Sequence, residues 1–269
     1  MQYQESLSNR DVGTCILSIS DLHIPFQKPI ETFSEYAGKI DILQINGDLV
    51  DAQAISRFNK VYRKSPMEEI LIARQYMIDL IEMLQPKKVV VNYGNHDLRF
   101  QNYLAKNLDT DLLELMPKTS LELIFVDGFN HYNKELHTKV HYDPLIDVFK
   151  DSGIEIVYND TWFSFVGETI FVHPLAYSSG MLKTAEKAYR YFKDNDYFFD
   201  TIVMAHTHKT GHYDIGNSVI YEQGCCCETS KMDYADGKLT PSQREGFILV
   251  YQDKFGRLNE DKTHIVRLN

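Results

Sequence analysis

The side chains in this sequence best suited to chemistry are Asp, Asn and His, and they recur where apolar runs stop. In chain order they are Asp21-x-His23, Gly47-Asp48-x-x-Asp51, Gly94-Asn95-His96-Asp97, His173 after Ile-Phe-Val, and Ala205-His206-x-His208 after Thr-Ile-Val-Met. Oxygen and imidazole donors without thiolate suit Mn2+, Fe or Zn2+. The candidate ligands Asp21, His23, Asp48, Asn95, His173, His206 and His208 exceed what one ion needs, and fit two ions if a carboxylate bridges them. Two ions about 3.5–4 Å apart form a clamp for in-line displacement at phosphorus.

These groups can meet only if the runs before them lie side by side. Residues 14–19, 41–45 and 88–93 read as buried strands, the last entering a tight glycine turn through VVVNYGNHD. Residues 29–37 read as a short helix opened by Pro29. Ser65-Pro66-Met67-Glu68 is a capping box with Pro at N1, predicting a helix to about Leu84 that Pro86 closes. Strand–helix–strand alternation implies parallel strands with right-handed crossovers, and sites in such sheets collect outside the carboxyl ends of the strands.

Residues 98–152 are the least regular part, read as two or three short helices and a loop rich in Asn and His. One helix there has Asp143 as N-cap, Pro144 at N1 and Gly153 as its stop. Short strands follow at 154–158, 162–166, 169–172, 201–205, 212–215, 219–223 and 247–252, interrupted by a helix at about 181–193. The expected class is α/β: a two-layer β-sandwich of mixed sheets flanked by helices. It would be one domain over 1–269, with an irregular helical insert around 98–152.

The chain of 269 residues can bury a sizeable core. A net charge of −10, from 28 basic and 38 acidic residues, makes a poor non-specific surface for nucleic acid or anionic membrane, while leaving room for a local metal-charged cleft. The N-terminal stretch has no apolar core of a leader, and no apolar run nears the ~20 residues needed to span a bilayer. Cys15 and the adjacent Cys225, Cys226 and Cys227 are no disulfide framework. A cytoplasmic protein without membrane partners is expected, and no feature fixes an oligomeric state.

The ordered blocks DxH, GDxxD, GNHD, H and AHxH resemble the calcineurin-like metallophosphoesterases over residues 21–208. The chain departs from that pattern at Ala205, where the family usually has Gly, and at Pro174 after His173. The resemblance implies a four-layer α/β/β/α fold and a dinuclear centre. One metal would be held by Asp21, His23, Asp48 and His208, the other by Asp48, Asn95, His173 and His206. Mn is the first expectation, with Fe, Zn or Ni as alternatives. Metal-bound hydroxide would attack phosphorus while His96 protonates the leaving oxygen, Asp51 orients that imidazole, and Asp97 stabilises the turn.

Arg99, together with Gly224-Cys225-Cys226-Cys227, Tyr234, Pro241 and a strand from Gly246, resembles the phage and prophage branch, whose members would act in a host cytoplasm. Arg99 could grip a phosphate bidentately or pair with a surface carboxylate. The implied substrate is a phosphodiester or phosphomonoester, with nucleic acid or nucleotides favoured. A protein phosphatase is less favoured, because Ala52-Gln53 stand where that branch places Arg-Gly. The rival class is a catalytically silent binding or scaffold protein on the same fold, which the intact His96 and ligand set argue against.

His131, His137, His141, His212 and His264 match no block and read as structural or surface residues. The cysteine triplet follows the strand after the His206/His208 loop, near the proposed ligands. Its thiolates could hold metal or respond to oxidation, though small packing residues are the commoner reading. The aromatic run Tyr189, Tyr191, Phe192, Tyr197, Phe198 and Phe199 could stack bases, with core packing the commoner explanation. Lys60, Arg63 and Lys64 could line a phosphate channel or form a solvated face.

Overall fold

The computed structural model describes residues 13–57, 64–178, 180, 182–232 and 243–268. Lys60, Arg63, Met181, Tyr234 and Pro241 lie outside the described residues. The strands are β1 (Thr14–Ile19), β2 (Ile42–Asn46), β3 (Lys88–Asn92), β4 (Phe129–Asn133), β5 (Thr138–Tyr142), β6 (Glu155–Asn159), β7 (Phe163–Val166), β8 (Thr169–Val172), β9 (Thr201–Met204), β10 (Thr210–Ile215), β11 (Ser218–Gln223), β12 (Gly246–Gln252) and β13 (His264–Arg267). The two long helices are α1 (Pro66–Leu84) and α2 (Lys183–Asp194).

One sheet has the order β13-β12-β1-β2-β3-β6, with β1, β2, β3 and β6 parallel and β12 antiparallel to β1. The other has the order β10-β11-β9-β8-β7, with β8, β9 and β11 parallel. Alternation along the strands sends side chains to two faces. Leu17, Ile19, Leu43, Ile45, Val89 and Val91 pack in one cluster with Ile70, Ala73, Met77, Leu80 and Ile81 of α1. Ile16, Ile248 and Val250 meet Phe171, Val203 and Tyr221 between the sheets. Ile170, Ile202, Met204 and Ile220 pack with Ala185, Ala188 and Phe192 of α2. The result is the expected mixed α/β sandwich with helices outside.

The layer between the sheets turns polar toward the strand ends. Buried Asn46 Nδ2 lies 3.3 Å from the carbonyl of Val172 and 3.2 Å from that of Val203, so it ties β2 to the opposite sheet. Asn92 donates to Asn46 Oδ1 at 3.0 Å, and Gln44 donates to Asn92 Oδ1 at 2.7 Å. Ser164 and Ser18 donate to Gln44 and Gln223. A connected network of this kind fixes how the sheets sit, because any slip would strand buried polar groups.

Helix α1 starts as the sequence dictates: the Ser65 hydroxyl accepts from Glu68 N at 3.2 Å and the Glu68 carboxylate accepts from Ser65 N at 2.7 Å. Elsewhere expectations shift. Residues 29–37 form a 3-10 helix, Ile30–Tyr36. The insert holds short helices at Arg99–Leu104, Thr110–Leu113 and Ser120–Glu122, but its Asn/His-rich loop is the antiparallel hairpin β4-β5. The later helix is only Leu145–Val148, with Pro144 as its cap rather than Asp143. The Asp143 carbonyl instead accepts from the Arg74 guanidinium at 2.7 and 3.0 Å. β13 is an addition the sequence reading missed. The aromatic run is divided: Phe192 and Phe199 are buried, Tyr189 and Tyr197 pack half-buried against the same cluster, and Tyr191 and Phe198 are exposed.

Candidate metal centre

The ends of five neighbouring strands deliver the candidate ligands. Asp21 and His23 follow β1, Asp48 follows β2, Asn95 and His96 follow β3, His173 follows β8, and His206 and His208 follow β9. The backbone bends sharply to turn them inward: Asp21, His23, Asp48, His206 and His208 all have left-handed φ, between 46° and 73°. Two glycines make room. A Cβ on Gly94 would lie 2.1 Å from Asp48 Oδ1, and one on Gly47 would lie 2.5 Å from His173 Nδ1.

Hydrogen bonds from the frame leave one free oxygen on each carboxylate. Asp21 Oδ2 accepts from the Ser20 hydroxyl at 2.7 Å and from His206 N at 3.2 Å, so Oδ1 faces the cluster, 3.0 Å from His208 Nε2. Asp48 Oδ1 accepts from His96 N at 2.7 Å, so Oδ2 stands between His173 Nε2 at 3.2 Å and His23 Nε2 at 3.9 Å. His173 Nδ1 lies 2.9 Å from the Asn46 carbonyl, to which it donates, which leaves Nε2 as the lone-pair nitrogen. That Nε2 lies 3.3 Å from Asn95 Oδ1.

These donors fit a pair of cations. Asp21, His23 and His208 offer ligand atoms within 4.8 Å of one another, and so do Asp48, His173 and His206. His206 Nε2 is buried without a hydrogen-bond partner, and the Nε2 atoms of His23 and His208 face each other at 3.2 Å. A cation or a proton held between these nitrogens satisfies them.

The electrostatics agree. Burial opposes ionisation of Asp21, but His208 and His173 outweigh it and hold the carboxyl well below the usual range. Asp48 is likewise held low, by His173 and His96 against burial. Burial opposes charge on His23 and His173 too, yet the carboxylates around them push each imidazole up to about 9. His206 goes the other way, to about 4, through burial and the neighbouring His173, and so stays a neutral donor.

His96 belongs to neither triad but forms a third group with His23 and Asp51, and its Nδ1 donates to the Asp51 carbonyl at 3.1 Å. Asp51 Oδ1 lies 3.0 Å from His96 Nδ1 and 3.2 Å from His23 Nδ1, so one carboxylate orients two imidazoles. Arg99 neither pairs with a surface carboxylate nor points to solvent: Nη1 donates to the Asp51 carbonyl at 2.6 Å, and Nη2 lies 2.8 Å from His96 Nε2. Asp97 holds the turns, accepting from Asp48 N and Gly94 N, each at 2.8 Å. All ten site residues from the sequence thus meet in one cluster, whereas His141 pairs with Asp143 and His212 packs on Tyr221 elsewhere.

Sequence reasoning missed Glu69 of α1. It is 2% exposed, accepts from Ala52 N at 2.7 Å, and thereby fixes the left-handed Ala52 next to Asp51. Its signal was faint, an acidic residue adjoining an apolar helix face. Clearer was the row Ser18, Gln44, Asn46 and Asn92, polar residues set at alternate positions in otherwise apolar strands.

With this geometry in view, comparison with known proteins is direct. The profile described as "Calcineurin-like phosphoesterase" matches residues 16–210. The chain belongs to the calcineurin-like phosphoesterase family. A search of curated proteins gives no match. Similar solved structures include Vacuolar Protein Sorting 29 from Cryptosporidium parvum, 17% identical, covering 95% of this chain and 97% of that one, TM-score 0.43. An archaeal phosphodiesterase is 14% identical over 94% of this chain and 99% of that one, TM-score 0.43. A metallophosphoesterase from Sphaerobacter thermophilus is 14% identical over 96% of this chain and 88% of that one, TM-score 0.43. Among the described residues, no helix of this calcineurin-like chain is long and apolar enough to cross a membrane.

Proposed function

We propose that this protein is a metal-dependent phosphoesterase acting on a phosphodiester or phosphomonoester, with nucleotides or nucleic acid as the substrate class. The observation that carries the reading is the convergence of two ligand sets with a further imidazole, His96, lying against Asp51 beside them. Asp21, His23, Asp48 and His208 would hold one divalent ion, and Asp48, Asn95, His173 and His206 the other. Mn2+ is the first candidate, with Fe, Zn2+ or Ni2+ accepted by the same donors. When bound, such ions supply Lewis acidity that neutralises phosphate charge and acidifies water.

The chain's own residues do the rest. The Asp51 carbonyl accepts from His96 Nδ1 at 3.1 Å, with the Asp51 carboxylate 3.0 Å away, so the proton that His96 gives is carried on Nε2. Burial lowers the affinity of His96 for that proton, and Arg99 adds to the effect, which makes the imidazole a ready donor once charged. Arg99 leaves His96 Nε2 for the substrate phosphate, a fork suited to two of its oxygens. His96 is then free to protonate the leaving oxygen.

The test is hydrolysis of bis-p-nitrophenyl phosphate against p-nitrophenyl phosphate by Mn2+-loaded protein. Turnover that EDTA abolishes is expected, and His96→Ala should lower it by about 10²–10⁴-fold for an ester with a poor leaving group but far less for these p-nitrophenyl esters, whose leaving oxygen needs little protonation. Diester preference supports the nucleic-acid reading, and monoester preference redirects it to phosphatases. Absence of turnover of either ester, with two metal equivalents bound, refutes it.

A further inference from the structure

The His208 ring has a second nitrogen that the centre does not use. Its Nε2 faces Asp21 at 3.0 Å, while Nδ1 is buried and makes no hydrogen bond. Next to this ring lie two thiols: a ring nitrogen of His208 and the sulfurs of Cys225 and Cys227 all fall within 4.8 Å of one another. The extended backbone sends alternate residues of the triplet opposite ways. Cys226 packs into the main core, whereas Cys225 and Cys227 share a small cluster with Phe26 and Met232. Met232 Sδ is 3.3 Å from Cys227 Sγ.

All three cysteines are fully buried, and the backbone pins them: Cys225 N donates to the Arg244 carbonyl at 3.1 Å, and Gly246 N donates to the Cys225 carbonyl at 2.9 Å. A purely apolar use of the pocket would not bring an imidazole against two thiols, where His208 interacts with the Cys225 sulfur. Two thiols, an imidazole and a nearby thioether are the donor set of soft d10 cations, distinct from the oxygen-rich set of the neighbouring centre.

We propose that Cys225, Cys227 and His208 Nδ1 form a separate thiophilic cation site, with Met232 as an auxiliary sulfur donor, for an ion such as Cu(I), Zn2+ or Cd2+. Both thiol protons leave to solvent when the ion binds. A neutral imidazole has a single lone pair, so an ion on Nδ1 leaves the ring proton on Nε2, donated to Asp21 Oδ1, and the two sites compete for His208. The inference stands on the position of His208 and does not depend on the phosphoesterase reading.

The experiment is titration of the reduced, full-length chain with Cd2+, read by sulfur-to-cadmium charge-transfer absorption, which nitrogen and oxygen ligands do not give. One equivalent per chain should develop the band. Cys225→Ser and Cys227→Ser should each weaken that binding by about 10–100-fold, and Cys15→Ser should leave it intact. X-ray absorption at cadmium in the wild-type chain should find two sulfurs, a result independent of how the variants fold. No band, a band unchanged in both triplet variants, a band lost with Cys15, or an all-nitrogen/oxygen shell would each overturn the proposal.

Discussion

Replacing Glu69 by Gln should stabilise the protein at neutral pH while leaving its stability near pH 4 almost unchanged. The carboxyl lies against a cavity of about 10 Å3, room for a single water, lined also by Ser120, Ile70 and Phe100. One oxygen accepts from Ala52 N and the other has no partner. Burial, and then the negative Asp51 nearby, push its pKa up to about 8. In the unfolded chain the same group titrates near 4.3. The folded state therefore holds the proton more tightly. Its contribution to stability is complete below about pH 4 and is lost as pH rises toward 8. At pH 7 the loss is roughly 3 kcal/mol, a large share of a typical folding free energy. Gln keeps an acceptor for Ala52 N and has no proton to lose. Urea unfolding of both proteins at pH 4, 5, 6, 7 and 8, with metal loading held fixed, measures the gap. It should open steadily with pH. A gap that stays flat across this range refutes a neutral Glu69.

Chelation should lower the melting temperature, because the ligands come from both sheets. A site at 100 times its dissociation constant contributes about 2.7 kcal/mol, or roughly 5–10 °C in a chain of this size, and calorimetry with and without EDTA reads it. An unchanged melting temperature would mean that the clustered ligands bind no ion. Gly94→Ala drives a methyl into Asp48 and should cost bound metal before it costs fold, measured as metal content against circular dichroism. Asp51→Asn removes the carboxylate behind His96, and turnover should fall about 10²-fold for esters with poor leaving groups but far less for p-nitrophenyl esters. Equal losses for both ester types would place Asp51 outside proton transfer.

The ligands were legible in the sequence because their chemistry resides in residue type, and the strands before them are uniform apolar runs. Helix α1 was legible because its capping box is a purely local signal. The hairpin β4-β5 was not: Phe129–Asn133 has no apolar alternation and Thr138–Tyr142 only the pair Val140 and Tyr142, and the stacked rings of Phe129 and Tyr142 meet only after folding. Asp143 looked like an N-cap until Arg74, far away in sequence, was seen to hold its carbonyl. Glu69 escaped for the same reason, and the cysteine triplet, legible as lying near the ligands, did not show which of its thiols meet His208. Each acquires its meaning from contacts across a long stretch of chain, to Ala52 in one case and to His208 in the other.

The left-handed backbone at Asp21, His23, Asp48, His206 and His208 bears on how such a chain ages. Most residues with a β-carbon cost about 1–2 kcal/mol in that conformation, Gly far less, and Asp, Asn and His lie between. Every one of these positions therefore sets two demands against each other, a backbone that favours Gly and a chemistry that requires Asp or His. While the centre is in use, selection holds the costly residue in place. In a lineage that had abandoned it, drift should run downhill toward Gly at these sites before it touches the apolar strands behind them. The order in which descendants lose these residues would record whether the centre was still earning its keep.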